Sequence, residues 1–251
     1  MPKVTKLVLF EKPKYSFPET SRSISFNSLV RPSLKDGAAH KSTRFKRIRP
    51  TKRVFDLVVA GIGIVFIAPI IICVAVLLLV LEGRPIFYIS ERMKAPGTPF
   101  KIIKFRTMYT TLDGADAGVT GGDKKGRITP VGRMLRRFRL DETPQIINIL
   151  RGDMSFVGPR PPLRQYTDAF PEIYQAVLQS RPGVTGLATL HYHRHEERLI
   201  ARTKSPTETE QIYTTRCIPR KAALDLIYQR NASIWFDAKI MWQTVICLLK
   251  R

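Results

Sequence analysis

Apolar residues are spread unevenly along the chain, and that unevenness predicts its organisation. From Leu57 to Leu81 nearly every position is apolar. The run is roughly 25 residues long, enough for a helix that crosses a bilayer. Its length and purity argue against a buried helix in a soluble core, so the segment is read as membrane-associated. Pro69, preceded by Ala68, lies near the middle and disturbs the hydrogen-bond ladder there. At ~1.5 Å per residue each half is on the order of 18–22 Å long, short of the ~30 Å hydrocarbon core. Two topologies follow: a hairpin that re-enters the same face, or a kinked span, since bilayer helices tolerate proline.

Before this run, residues 1–50 mix Ser, Pro, Lys and Arg with no sustained period and read as a disordered basic cytosolic tail. Met1 to Phe17 is broken by Lys3, Lys6, Glu11, Lys12 and Lys14, so no signal peptide is expected. After it, from Pro85, the texture is that of a mixed soluble domain. Ile86–Ile89 and Phe100–Phe105 predict short strands, with Ala95–Pro99 as the turn between them. Asp113–Gly126 reads as a mobile loop, Val131–Phe138 as a short basic helix, and Pro144–Leu150 as a helix with Pro144 at its first position and Thr143 as its cap. Gly152–Pro162 predicts a strand and rigid turn, Asp168–Ser180 a helix, and Arg181–Gly186 a loop. Ile234–Leu249 predicts a helix that either lies in the headgroup plane, where Trp235 and Trp242 would suit it, or packs on the domain core.

Charge sharpens this picture. The chain of 251 residues carries 42 basic and 20 acidic side chains, a formal net charge of +22. Such a surplus suits a nucleic acid, an anionic membrane surface or phosphorylated substrates. The basic residues crowd both flanks of the apolar run: Lys41, Arg44, Lys46, Arg47, Arg49, Lys52 and Arg53 before it, Arg84, Arg92, Lys94, Lys101 and Lys104 after it. The positive-inside rule then favours neither orientation, as a hairpin would require. No helix-turn-helix, aromatic-basic or zinc-finger signature points to nucleic acid, although a membrane-tethered basic binder or a non-catalytic scaffold is the alternative the charge alone allows. Cys73, Cys217 and Cys247 are widely spaced, which fits a reduced cytosolic setting.

The candidate chemistry lies in Arg136-Arg137-Phe138-Arg139-Leu140-Asp141-Glu142-Thr143-Pro144-Gln145. Adjacent carboxylates beside a predicted helix start, behind three arginines, describe a place where a phosphate could be held and attacked. Lys104, Arg106 and Arg160 add donors for phosphate oxygens. His191, His193 and His195 alternate like one face of a strand; they read as a polar loop or, less simply, as metal ligands.

Four motifs occur in order: Lys104-Phe105-Arg106-Thr107-Met108, Arg139-Leu140-Asp141-Glu142-Thr143-Pro144-Gln145, Arg151-Gly152-Asp153-Met154-Ser155-Phe156-Val157-Gly158-Pro159-Arg160-Pro161 and Arg181-Pro182-Gly183-Val184-Thr185-Gly186. With the preceding apolar segment, the chain from about Thr51 onwards resembles the bacterial sugar transferases, the monotopic phosphoglycosyl transferases. The resemblance implies transfer of a sugar-1-phosphate from a nucleotide-sugar donor, usually a UDP-sugar, to a polyprenyl phosphate acceptor, with release of UMP. By resemblance Asp141 is the nucleophile that forms a covalent phosphosugar intermediate. Glu142 is associated with Mg²⁺ and active-site charge, and Lys104, Arg106, Arg136 and Arg160 lie near the phosphates. Ala68–Pro69 occupies the helix-breaking position of the membrane anchor, where the family often has Ser-Pro. Leu190–Arg198 departs from the family's pattern, so the resemblance carries no sugar preference, and Arg230-Asn231-Ala232-Ser233 with Asp237-Ala238-Lys239-Ile240 resembles the family's C-terminal pattern again. The fold expected is α+β and mainly helical: a tail (1–50), a re-entrant membrane hairpin (51–83) and a small cytosolic catalytic domain with interfacial amphipathic helices (84–251). The location implied is the cytosolic face of a bacterial inner membrane.

Overall fold

The computed structural model describes residues 50–109 and 126–250. The basic tail up to Arg49 and nearly all of the loop expected at Asp113–Gly126 lie outside the described residues. The apolar run forms α1 (Pro50–Glu82), helical without a break through Pro69. The two half-helices expected of a hairpin are thus one element.

What organises α1 is a stripe at helical spacing. Asp56, Ala60, Ile64, Ile67, Ile71, Val74 and Leu78 recur every three or four residues and all pack inward. Ala60, Ile64 and Ile67 meet Phe100, Ile102, Ile146, Ile149 and Met154, whereas Val74 and Leu78 meet Phe105 and Leu135. Both sides of Pro69 therefore rest on the same domain. The opposite face, including Ile62, Val65, Phe66, Val76 and Val80, is apolar and exposed, with Phe66 at 71%.

Both ends of α1 are also tied down. Arg53 donates to the carbonyls of Ile149 (2.6 Å) and Leu150 (2.8 Å), and the Asp56 carboxylate accepts from the Ser155 hydroxyl (3.0 Å). At the other end Arg106 donates to the carbonyls of Glu82 (2.8 Å), Gly83 (3.2 Å) and Arg84 (3.2 Å). The Glu82 carbonyl is the last of the helix and has no partner within it, and the other two belong to the residues that follow.

The domain begins with an antiparallel hairpin, β1 (Phe87–Ala95) and β2 (Thr98–Phe105), turned at Pro96-Gly97, where Gly97 has φ +70°. Both strands are longer than expected, because the exposed polar positions of β1 pair as well as its apolar ones. Next come α2 (Pro130–Arg137), capped by the Thr129 hydroxyl, a 3-10 turn (Leu140–Gln145) and α3 (Ile146–Arg151). Asn148 locks α3 to β2, accepting from the Ile103 amide (3.1 Å) and donating to the Lys101 carbonyl (2.8 Å).

The two Gly-Pro motifs form one unit. β3 (Ser155–Val157) pairs parallel with β4 (Gly183–Thr185), so the expected loop at Arg181–Gly186 holds a short strand. A Cβ on Gly158 would lie 2.2 Å from the Arg181 carbonyl oxygen, and one on Gly183 would lie 2.2 Å from the Gly158 amide nitrogen. Only glycine permits that approach.

The remaining chain is helical: α4 (Arg164–Ala169), α5 (Pro171–Val177), α6 (Leu187–Ile200), α7 (Pro206–Ile212), a π-helical turn (Tyr213–Cys217), α8 (Ile218–Asn231) and α9 (Ile234–Leu249). The helix expected at Asp168–Ser180 is divided at Phe170, because a proline disfavours helical geometry in the residue before it. His191, His193 and His195 lie on α6 rather than on a strand. The segment's Leu, Ala, Arg and Glu favour helix, and His193 pairs with Glu197 one turn on (3.2 Å). Helix α9 packs through Asp237 and Ile240, while Trp235 and Trp242 stand 82% and 67% exposed. The packed face meets the expectation of a helix on the domain core, and the tryptophans of the headgroup expectation lie on the exposed face. Asp237 pairs with Lys52 and accepts from the Tyr228 hydroxyl (2.7 Å), joining α9 to the start of α1.

Candidate active site

The arginine run is sorted by secondary structure. Arg136 lies in the last turn of α2 with its Nε donating to Thr107 Oγ1 (2.8 Å), Arg137 ends the helix and turns outward over the Phe138 ring, and Arg139 adopts left-handed backbone geometry (φ 54°, ψ 23°). That reversal swings the chain from α2 into the 3-10 turn that carries Asp141 and Glu142. The turn rests on α1, since Leu140 packs against the Val74–Leu78 cluster. The carboxylates are therefore not outside the start of an α-helix, as expected. Thr143 does not cap one either, because its hydroxyl donates to the Leu140 carbonyl (2.8 Å). Charge around the pair comes from side chains.

Glu142 collects those side chains. Its Oε1 accepts from Lys104 (2.9 Å) and Arg160 (2.8 Å), and its Oε2 from Arg139 at 3.3 Å. Burial pushes its carboxyl up, but Arg160, Lys104 and Arg139 together hold it well below the usual carboxylate range. Asp141 is the opposite case. Its carboxylate takes no hydrogen bond or ion pair among the described residues, and burial together with Glu142 raises its pKa against the pull of Lys104, Arg136 and Arg160. An ionised Asp141 is thus the less stabilised, more basic member of the pair.

Of the four cations expected near phosphates, Lys104, Arg136 and Arg160 surround the pair. Arg106 lines the same cavity, but its guanidinium clamps the end of α1. Arg92 was not expected here, and Arg139 was expected only as one of the three arginines before the pair. Arg139 reads in sequence as one of a run, and its role depends on its backbone turn. Arg92 sits in a strand as an ordinary charged position, yet it lines the cavity, and burial and the Arg160 charge lower its pKa. The cations outnumber the carboxylates and leave a positive surplus for an anionic ligand.

These groups line a cavity of 560 Å³. One rim is apolar and aromatic: Pro85, Phe87, Tyr88, Met108, Tyr109 and Ile128, next to the end of α1. The far wall is polar and comes from α6 and α8. Among the described residues no cluster of three or more His, Cys, Asp or Glu could hold a metal by itself. At the pair, Glu142 Oε2 has only the longer Arg139 contact among the described residues.

Comparison with known proteins follows the same boundaries. The family model described as bacterial sugar transferase matches residues 47–251. A UDP-glucose:undecaprenyl-phosphate glucose-1-phosphate transferase of Caulobacter vibrioides is 38% identical over 203 residues, covering 79% of this chain and 69% of that protein. The protein of the same name in Escherichia coli is 32% identical, over 78% of this chain but 40% of its own length. Exopolysaccharide production protein ExoY of Rhizobium meliloti is 30% identical, over 78% of this chain and 85% of its own. The chain thus spans less than half of the Escherichia coli relative.

Proposed function

Because this chain belongs to the bacterial sugar transferase family, we propose that it transfers a sugar-1-phosphate from a UDP-sugar to undecaprenyl phosphate, initiating assembly of an exopolysaccharide or another surface glycan. Relatives named for that reaction or for exopolysaccharide production support the substrates. The observation that carries the mechanism is the unequal pair: Glu142 bound by three cations, and Asp141 unbound and more basic beside it.

In the reading we favour, Lys104, Arg136 and Arg160 offset the donor's diphosphate charge. An Asp141 oxygen attacks the phosphorus that bears the sugar, and the phosphoanhydride bond to UMP breaks as the new P–O bond forms. UMP leaves with the bonding pair. A phosphate oxygen of the acceptor then attacks the same phosphorus, the Asp141–phosphorus bond breaks, and the carboxylate is restored. Mg²⁺ fits here as a companion of the donor. Glu142 Oε2 would supply one hard oxygen, with phosphates and water completing the shell as is usual for this ion. When bound it would neutralise charge on the diphosphate. The apolar rim beside α1 suits the acceptor's isoprenoid.

We place the catalytic domain on the cytosolic face of the inner membrane, with α1 re-entrant. Support comes from the inward stripe of α1, which meets one domain on both sides of Pro69, and from its two tied ends. A helix that crossed the bilayer would carry one end away from that domain.

The test uses membranes containing the full chain, with radiolabelled UDP-sugars and undecaprenyl phosphate. Release of UMP is expected and is lost by at least about 10³-fold in Asp141→Asn. Without acceptor, the intact protein should gain the mass of one sugar phosphate on Asp141. Wild-type turnover by Asp141→Asn would overturn the assignment.

A further inference from the structure

The far wall of the cavity carries a second group of charged side chains that phosphoryl transfer does not use. Glu196 of α6, Lys221 and Asp225 of α8, and Tyr213 of the π-helical turn face it. Lys221 donates to Glu196 Oε1 (2.9 Å) and to the Tyr213 hydroxyl (3.3 Å), with its ammonium 5.0 Å from the Tyr213 ring centre. Three contacts fix one cation in place. Asp225, one turn further along the same helix, is 7% exposed, and neither of its oxygens takes a hydrogen bond among the described residues; Oδ1 is wholly shielded. A buried carboxyl without partners is costly, and native proteins keep one where a ligand completes it.

The chemistry of this wall differs from that of the Asp141 end. Acidic oxygens repel phosphate but accept from hydroxyls, and the fixed Lys221 donates beside them. Burial raises the Asp225 carboxyl to about 7, Lys221 pulling it down and Glu196 pushing it up, so both protonation states are accessible to a ligand near neutrality. A nucleotide sugar has this polarity: a diphosphate for the cations, and neutral polyhydroxyl rings on either side of it. We propose that Asp225, with Glu196 and Lys221, forms a subsite that reads a vicinal diol on a ring attached to the donor's diphosphate. The ring is either the transferred sugar or the ribose. The inference rests on the reading that the cavity holds a nucleotide sugar. It also gives a role to the α6 segment, from which the sequence motifs carried no sugar preference.

The experiment compares wild type, Asp225→Asn and Glu196→Gln as full chains in membranes, with thermal unfolding to confirm that the variants fold. Donors are UDP-hexoses differing at single hydroxyls, and UMP serves as competitor. If the subsite holds the transferred sugar, Asp225→Asn raises KM for the preferred donor roughly tenfold or more, leaves kcat within a few-fold, flattens selectivity among epimers and leaves UMP inhibition unchanged. If it holds the ribose, KM rises equally for all donors and UMP inhibition weakens in parallel. Folded variants with wild-type KM, selectivity and UMP inhibition would overturn the proposal while leaving the transferase reading intact. Absence of turnover in the wild type with any donor would instead count against that reading. Glu196→Gln, which retains an acceptor for Lys221, is expected to show the same pattern with a smaller shift.

Discussion

Asp141 and Glu142 are neighbours of like charge in one electrostatic field, yet their proton affinities move in opposite directions. Direct partners decide this: among the described residues three cations bond to Glu142 and none to Asp141. The contrast predicts stability effects of opposite sign. Because folding raises the pKa of Asp141, its ionisation weakens the fold, fully above the folded-state pKa and not at all below the unfolded one. Asp141→Asn should therefore gain on the order of 1 kcal/mol at about pH 7, a gain that disappears on acidification. Glu142 has a depressed pKa, so its contribution is present above the unfolded-state value and is lost as pH falls through the folded one. Glu142→Gln should cost roughly 2–4 kcal/mol near neutrality and progressively less at lower pH. Thermal unfolding of both variants across a pH series checks this, and shifts of the same sign at neutral pH would contradict the division drawn between them. The pair was legible in the sequence because its two members are adjacent. Its unequal roles were implied by the family resemblance, but their electrostatic cause was not legible, since Lys104 and Arg160 come from distant segments. Asp225 was illegible for a similar reason: Lys221 and Asp225 at i, i+4 read as a solvated helix pair until burial is known.

At the scale of elements, local signals were readable and long-range ones were not. Pro96-Gly97 turns the hairpin as its residues predict, because a turn depends on neighbouring residues, whereas Thr143-Pro144, read as a cap and helix start, lies inside the 3-10 turn. Strands β3 and β4 have three residues each and exist through pairing across the chain, which no local pattern reports. The histidine alternation misled because a period of two over five residues is a weak signal against helix-forming neighbours. For α1 a re-entrant hairpin was expected, and one helix unbroken through Pro69 stands there instead; the proposal that it returns to the same face is tested by labelling. With exposed Cys73 and Cys247 replaced by Ala and buried Cys217 kept, single cysteines at Thr51 and Lys101 should both react with an impermeant maleimide only in inverted vesicles. Reaction of either one in intact right-side-out cells would show that α1 crosses.

At the scale of the whole molecule, the outer face of α1 is joined by a second apolar surface. Along α9, Trp235, Trp242, Val245 and Leu249 follow helical spacing and stand exposed, while Asp237, buried on the other face, pairs with Lys52 at the start of α1. The ion pair fixes where α9 begins relative to the anchor. A helix with one face packed and the other apolar suits the headgroup boundary, where tryptophan is favoured. The chain has two tryptophans, both on this helix, so its indole fluorescence reports α9 alone. In vesicles, lipids brominated near the headgroup should quench that emission more than lipids brominated near the chain end. Trp235→Phe and Trp242→Phe should each leave a residual signal with the same depth dependence. Equal quenching at both depths would mean that α9 enters the hydrocarbon. No quenching would mean that α9 stands clear of the bilayer, with α1 left to hold the catalytic turn at the surface.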